Sequence, residues 1–311
     1  VSLSQGTEVT QNNIGLIGYG EVGKIFCAGL KTKPGVESVS AWDLKFASAA
    51  TQPTEHAHAA QAGVAACPSM QALCLSADWL ISAVTASNTL AVAQEAALHM
   101  RPGTLFLDLN SASPGTKQQA AALIEAAGGH YVEAGVMTSV PPYGIRVPML
   151  LGGPQADALA QRLKGYGMDA KCVSEKLGVA SAIKMCRSVM IKGLEALVIE
   201  SYATARAYGV EDHVLPTLVE TFPSIDWSQQ GAYFFSRVVQ HGKRRAEEMR
   251  EAANTVREAG FEPFMATAIA DKQQWVADQA AAGLFAQLGK DTKEVTWQTY
   301  ADRLIARSLS K

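Results

Sequence analysis

The sequence predicts an α/β protein, with a doubly wound, mostly parallel sheet in the first half of the chain and an all-α second half. Three observations carry this prediction. Short apolar runs alternate with Ala-rich helical patterns from residue 13 to about residue 153, the rhythm of successive strand–helix–strand units. The first of those runs ends in Gly18-x-Gly20-x-x-Gly23 and passes straight into a helical pattern. Beyond about residue 172 the strand signals stop and long helical patterns take over. A chain of 311 residues suits two domains, expected at 1–172 and 173–311.

The elements follow in order. Asn13-Ile14-Gly15-Leu16-Ile17 reads as the first strand. Gly18 permits a tight strand-to-helix turn, Gly20 lets a pyrophosphate approach the backbone, and Gly23 lets the helix pack closely on the strand. The second strand, Val39-Ser40-Ala41-Trp42-Asp43, ends in a carboxylate 20 positions after Gly23, where an adenosine ribose is met. Strand, glycines, helix and acid together predict a Rossmann-type dinucleotide site. Its expected residues are Gly18, Tyr19, Gly20, Glu21, Val22, Gly23 and Asp43, with Val84 at the end of a later strand and Thr85 and Asn110 just after strands. An Ala-rich helical stretch is expected to run to about residue 73. Residues 78–84 then form a strand, buried and parallel by its continuous apolar character. A helix over 89–99 stops at Arg101-Pro102-Gly103, and 104–109 is the next strand. Ser113-Pro114 opens a helix that ends at Gly128-Gly129; strands are expected at 130–134 and 148–153.

Composition excludes several classes. With 48% hydrophobic and 18% charged residues the chain can bury a sizeable core. A net charge of −2 offers no field for nucleic acid or an anionic membrane. No apolar stretch reaches membrane-spanning length, and the polar segment 1–12 lacks a signal-peptide apolar region. Five cysteines without a C-x-x-C pair read as reduced, mostly buried thiols of a cytoplasmic protein, Cys186 among the packed ones. His56, His58 and His99 have no paired ligand spacing, so no metal site is expected.

The second half opens with one long helix, 178–208, followed by helical patterns at 241–260 and 263–288. Lys184, Ser188, Lys192 and Glu195 share one face of the first helix, with Arg187 beside them. Met185, Val189, Met190, Leu194 and Leu197 fill the other faces. A solvated polar stripe is the competing reading, but the helix is apolar on too many faces for a surface helix. Lys184 near its start is a candidate acid/base group. So much apolar helix in a small domain also predicts a homodimer through the helical half.

Three segments in fixed order carry a family resemblance: Gly18-x-Gly20-x-x-Gly23, Asp108-Leu109-Asn110-Ser111-Ala112-Ser113-Pro114, and Gly178-Val179-Ala180-Ser181-Ala182-Ile183-Lys184. The chain resembles the β-hydroxyacid dehydrogenases, which include 3-hydroxyisobutyrate and 6-phosphogluconate dehydrogenases. Its Arg244–Ala253 stretch looks like a branch with its own phosphogluconate-dehydrogenase-like helical domain. The resemblance implies an NAD(P)-dependent oxidoreductase that moves a hydride between nicotinamide and a β-hydroxy acid, or its semialdehyde or keto acid. Lys184 falls on the family's catalytic lysine, and Asn110 and Ser111 on the pair that holds the substrate carboxylate.

Three departures stand out. Ser188 replaces the family's Asn, and Glu133-Ala134-Gly135-Val136-Met137-Thr138-Ser139 replaces its substrate loop. Glu247 stands near the position of a further family lysine. Ser139, Ser188 and Arg187 complete the expected substrate set, and Arg146 is read as a surface arginine in preference to a carboxylate clamp. Asp43 favours NAD, while Lys45 keeps NADP open. Imine or opine reduction and oxidative decarboxylation of a sugar acid are the alternative chemistries. A noncatalytic binding module would be expected to lose Lys184.

Overall fold

The structure, a computed structural model, describes residues 12–288 and 295–309. It has the expected fold class. The first compact unit spans Val1–Lys184 and the second Met185–Lys311. In the first, the chain runs β1 (Asn12–Ile17), α1 (Glu21–Leu30), β2 (Val36–Trp42), α2 (Gln52–Ala62), β3 (Ala65–Ala66), α3 (Met70–Ser76) and β4 (Trp79–Ser82). It continues through α4 (Thr89–Ala97), β5 (Leu105–Asp108), α5 (Pro114–Ala126), β6 (His130–Val136), β7 (Met149–Gly152), α6 (Ala156–Gly165) and β8 (Ala170–Ser174). The eight strands form one sheet in the order β3-β2-β1-β4-β5-β6-β7-β8. Every pairing is parallel except β6 with β7. The central strands are buried on both faces, which explains why 78–84 reads as a continuous apolar run and not an alternating one.

Two stretches differ from the sequence reading. The helical stretch after Asp43 is broken: Gly63 adopts a left-handed conformation (φ 64°) that ends α2, β3 pairs with β2, and Ser69 caps α3 by accepting from Ala72 N at 3.1 Å. Strand signals also extend past 172, because β8 pairs with β7 through Ser174. A boundary at 172/173 cuts that strand; the two compact units meet in sequence inside the next helix, between Lys184 and Met185.

That helix, α7 (Val179–Tyr208), leads into α8 (Glu211–Thr221), α9 (Trp227–Glu258), α10 (Phe264–Ala281) and α11 (Trp297–Leu309). Helix α9 begins well before 241 because Asp226 caps it, accepting from Gln229 N at 2.9 Å. The helical unit has an aromatic core in which Tyr202 meets Trp297 edge-on at 4.8 Å and Phe235 stacks on Tyr300 at 5.8 Å.

In the middle of α7, polar residues take buried positions while apolar ones nearby are exposed. Ser188, Lys192 and Glu195 are buried, whereas Met190 is 66% and Leu197 55% exposed. The buried charges are paired: Lys192 Nζ lies 2.9 Å from Glu248 and donates to Ser188 Oγ at 3.1 Å. Arg245 grips the Glu195 carboxylate with two nitrogens, and Gln273 donates to Glu195 at 3.2 Å. These bonds tie α7 to α9 and α10. Cys186, expected to be packed, is exposed, because its side of α7 faces away from that network.

Candidate active site

Strands β1, β2, β4, β5 and β6 run parallel, so the loops that follow them gather along one edge of the sheet. The strand order reverses at β1, between β2 and β4, which is where open α/β sheets bind ligands. The three glycines there act for three different reasons. Gly18 has φ 99°, and a Cβ on it would strike the carbonyl of Ala83 after β4. A Cβ on Gly23 would collide with the carbonyl of Gly18. Around Gly20 no atom lies within 4 Å of a Cβ position, so the backbone stands open to a ligand. Glu21 and Val22 open α1, where backbone N–H groups have no acceptor within the helix and favour an anion.

Asp43 follows β2. Its carboxylate accepts from Tyr19 N at 2.6 Å and from Lys45 N at 2.9 Å, holding the glycine loop to the end of β2. The Tyr19 side chain is buried, packed against Phe46 at 5.3 Å, with its hydroxyl 3.0 Å from His58 Nδ1; burial pushes its phenol up to about 12. Tyr19 thus contributes its backbone to the loop edge and its ring to the core. This set of open glycine, helix N-terminus and a carboxylate at the end of β2 fits a dinucleotide.

The loop after β5 rests on a buried ionic cluster. Lys117 and Asp108 pair at 2.9 Å, with exposures of 0% and 1%. Asp108 also accepts from Tyr131 OH at 2.6 Å and from Asn110 N at 2.8 Å, and Lys117 donates to the Asp108 carbonyl at 3.0 Å. Burial and the Asp108 charge raise the Tyr131 phenol well above its ordinary value. Asn110, predicted to touch substrate and cofactor, is buried: its Oδ1 accepts from Val84 N at 2.7 Å and its Nδ2 donates to Ser82 Oγ at 2.9 Å. It joins the β4 and β5 loops to each other.

Ser111, the next residue, accepts a hydrogen bond from Lys184 Nζ at 2.5 Å across 73 positions of sequence. Lys184 is half-buried. Two residues expected in one site are therefore in contact. Ser139 follows β6 and is half-buried; Thr85 is exposed and accepts from Asn88 at 2.8 Å. In the helical unit Arg187 is exposed, while Ser188 is spent on Lys192. Sequence reading missed Lys117 and Glu133. The only available signal was their position beside strands, since a lysine early in a Ser-Pro-initiated helix otherwise reads as solvated.

Comparison with known proteins agrees with this geometry. Residues 13–158 match the NAD binding domain of 6-phosphogluconate dehydrogenase, and residues 205–276 match a domain of unknown function, DUF1932. A conserved hypothetical protein from Sinorhizobium meliloti is 36% identical, with 96% of this chain and 97% of that one covered and a TM-score of 0.73. A conserved protein of unknown function, described as structurally similar to 3-hydroxyacid dehydrogenases, is 31% identical; 86% of this chain and 99% of that one are covered, with a TM-score of 0.64. The 3-hydroxyisobutyrate dehydrogenase of Mycobacterium tuberculosis shares the fold at 17% identity, covering 94% and 99% of the two chains with a TM-score of 0.66. With an NAD-binding sheet unit, a glycine cradle at its switch point and relatives matched over their whole length, the chain belongs to the β-hydroxyacid dehydrogenase superfamily.

Proposed function

We propose that the protein is an NAD(P)-dependent dehydrogenase or reductase acting on the CH–OH group of a β-hydroxy acid, with Lys184 as general acid/base. The observation that carries this reading is the 2.5 Å bond from Lys184 Nζ to Ser111 Oγ beside the loops of the dinucleotide cradle. When bound, the nicotinamide supplies the hydride acceptor or donor. Gly20, Glu21 and Val22 hold the phosphates through backbone N–H groups, and Asp43 accepts from the ribose hydroxyls. Lys184 bonds the substrate hydroxyl oxygen, taking its proton during oxidation and returning it during reduction. Ser111 and Ser139 offer neutral donors to the substrate carboxylate. Asn110 serves by fixing the loop, since its amide is committed to Val84 and Ser82.

The negative charge of Asp43 supports NAD over NADP, against the opposing charge of exposed Lys45. The exposed apolar residues Met190 and Leu197 on α7 support a homodimer through the helical unit, which light scattering over a dilution series tests. Unpaired cysteines support a cytoplasmic setting.

A panel of β-hydroxy acids and their semialdehydes, assayed with NAD and NADP by nicotinamide absorbance, tests the function. Turnover of at least one acid, with a higher kcat/KM for NAD, is expected. Tight dinucleotide binding with no turnover of any member of the panel would sink the assignment.

A further inference from the structure

We propose that Glu133 is the positioning residue for Lys184, acting by closing the N-terminus of α7 from the neighbouring strand. This rests on the role given to Lys184 above. Glu133 lies on β6 and is 0% exposed. Its Oε1 accepts from Gly178 N at 2.7 Å and Ala180 N at 3.1 Å; its Oε2 accepts from Ser181 N at 3.3 Å and Ser181 Oγ at 2.7 Å. One carboxylate thus satisfies donors that the first turn of any helix leaves without partners, and its charge meets the positive end of the helix dipole. Most helix caps come from the residue next to the helix. Here the cap is 45 positions away, so it locks the helix to the sheet as well as ending it.

Two glycines are cut to fit this contact. Gly152 pairs with Glu133 across β6 and β7, and a Cβ there would collide with Glu133 Oε1. Gly135 lies on the same face of β6 as Glu133, two residues on. A Cβ on Gly135 would stand 3.0 Å from the Ala180 carbonyl and 3.5 Å from Lys184 Cβ, so strand and helix meet directly beneath the lysine. Without the carboxylate, α7 has freedom to slide or rotate over that smooth strand. A shift of about 1 Å is enough to cost a reacting group its geometry. The departure of Glu133-Ala134-Gly135 from the family's loop therefore sets the placement of the lysine.

The test compares wild type with Glu133→Gln, which keeps the shape and two of the acceptor contacts, and with Gly152→Ala, which presses a methyl group on the carboxylate and leaves its charge. Each protein is labelled with an amine-reactive acylating reagent, and Lys184 modification is read by peptide mass spectrometry, with exposed Lys45 as internal reference. Both variants should expose the Lys184 amine by breaking its bond to Ser111, raising its labelling rate about 3- to 10-fold, with dinucleotide Kd within about twofold. On a turned-over acid, kcat should fall about 10- to 100-fold with the KM for dinucleotide unchanged. Unchanged Lys184 labelling in folded Glu133→Gln and Gly152→Ala proteins overturns the proposal. If Glu133→Gln does not fold, Gly152→Ala alone decides. Because labelling needs no substrate, it still judges Glu133 if the panel of acids finds no turnover, which would count against the function only.

Discussion

Lys184 and Lys192 are the same residue type on the same face of α7, about two turns apart, yet their surroundings differ. Lys192 is buried and closed in by Glu248 at 2.9 Å and Ser188 at 3.1 Å, so its charge is neutralised and its donors are spent on helix packing. Lys184 is half-buried and donates to the neutral hydroxyl of Ser111. A third lysine, Lys117, completes the series: fully buried, paired with Asp108 and bonded to that residue's carbonyl. A lysine paired with a carboxylate and shut from solvent is a structural element. Lys184, which donates to a serine, is the one to which the proposed function assigns proton exchange with a ligand.

The largest effect on stability is therefore expected at Lys117. Lys117→Met leaves Asp108 buried without its cation and should cost about 3–5 kcal/mol in a urea melt. A smaller loss would mean that the Tyr131 and Asn110 bonds to Asp108 suffice without the ion pair. Lys192→Met should cost less, about 1–3 kcal/mol, because Glu248 retains Arg244 at 3.6 Å as an alternative partner. Equal costs for the two variants would erase the distinction drawn between their sites.

The same region of α9 responds to pH. His241 is lowered from 6.5 to about 4, first by burial and then by the charges of Arg237, Arg244 and Arg245, with Glu248 opposing. Below pH 6.5 the unfolded chain binds a proton that the folded chain refuses, so this contribution to stability is lost as pH falls from about 6.5 towards 4. His241→Gln should make the protein about 1 kcal/mol less sensitive to a change from pH 7 to pH 5, a value discounted for the half-exposed ring. Parallel urea midpoints of wild type and variant at both pH values check this, and identical pH sensitivity contradicts it.

What could be read from sequence follows from the range of each interaction. The glycines at 18, 20 and 23 and the acid at Asp43 are local signals, and the structure gives each glycine its own steric reason. Ser113 before Pro114 was legible as a cap for the same reason. The breaks around β3 and the short β8 were not, because two- and five-residue strands are defined by the neighbours they pair with. That Lys184 and Ser111 belong to one site was expected from family resemblance and not from spacing; their direct contact was not foreseen. The burial of Lys117 and the reach of Glu133 to α7 depend on which strand lies next to which helix. Met190 and Leu197 were expected on the faces of α7 away from the polar stripe; they are exposed, while hydrogen-bonded Ser188 and the ion-paired Lys192 and Glu195 hold buried positions.

The most direct measurement sets Lys184→Ala beside Lys192→Ala, each assayed for turnover and for dinucleotide affinity at a temperature where both remain folded. Lys184→Ala should lose about 10²- to 10⁴-fold in turnover, the range for removing a positioned acid or base, with dinucleotide Kd nearly unchanged. Lys192→Ala should keep turnover within a few-fold while melting at lower temperature. Normal turnover in Lys184→Ala, or a greater loss in Lys192→Ala, would contradict the assignment of the proton-transfer role to Lys184.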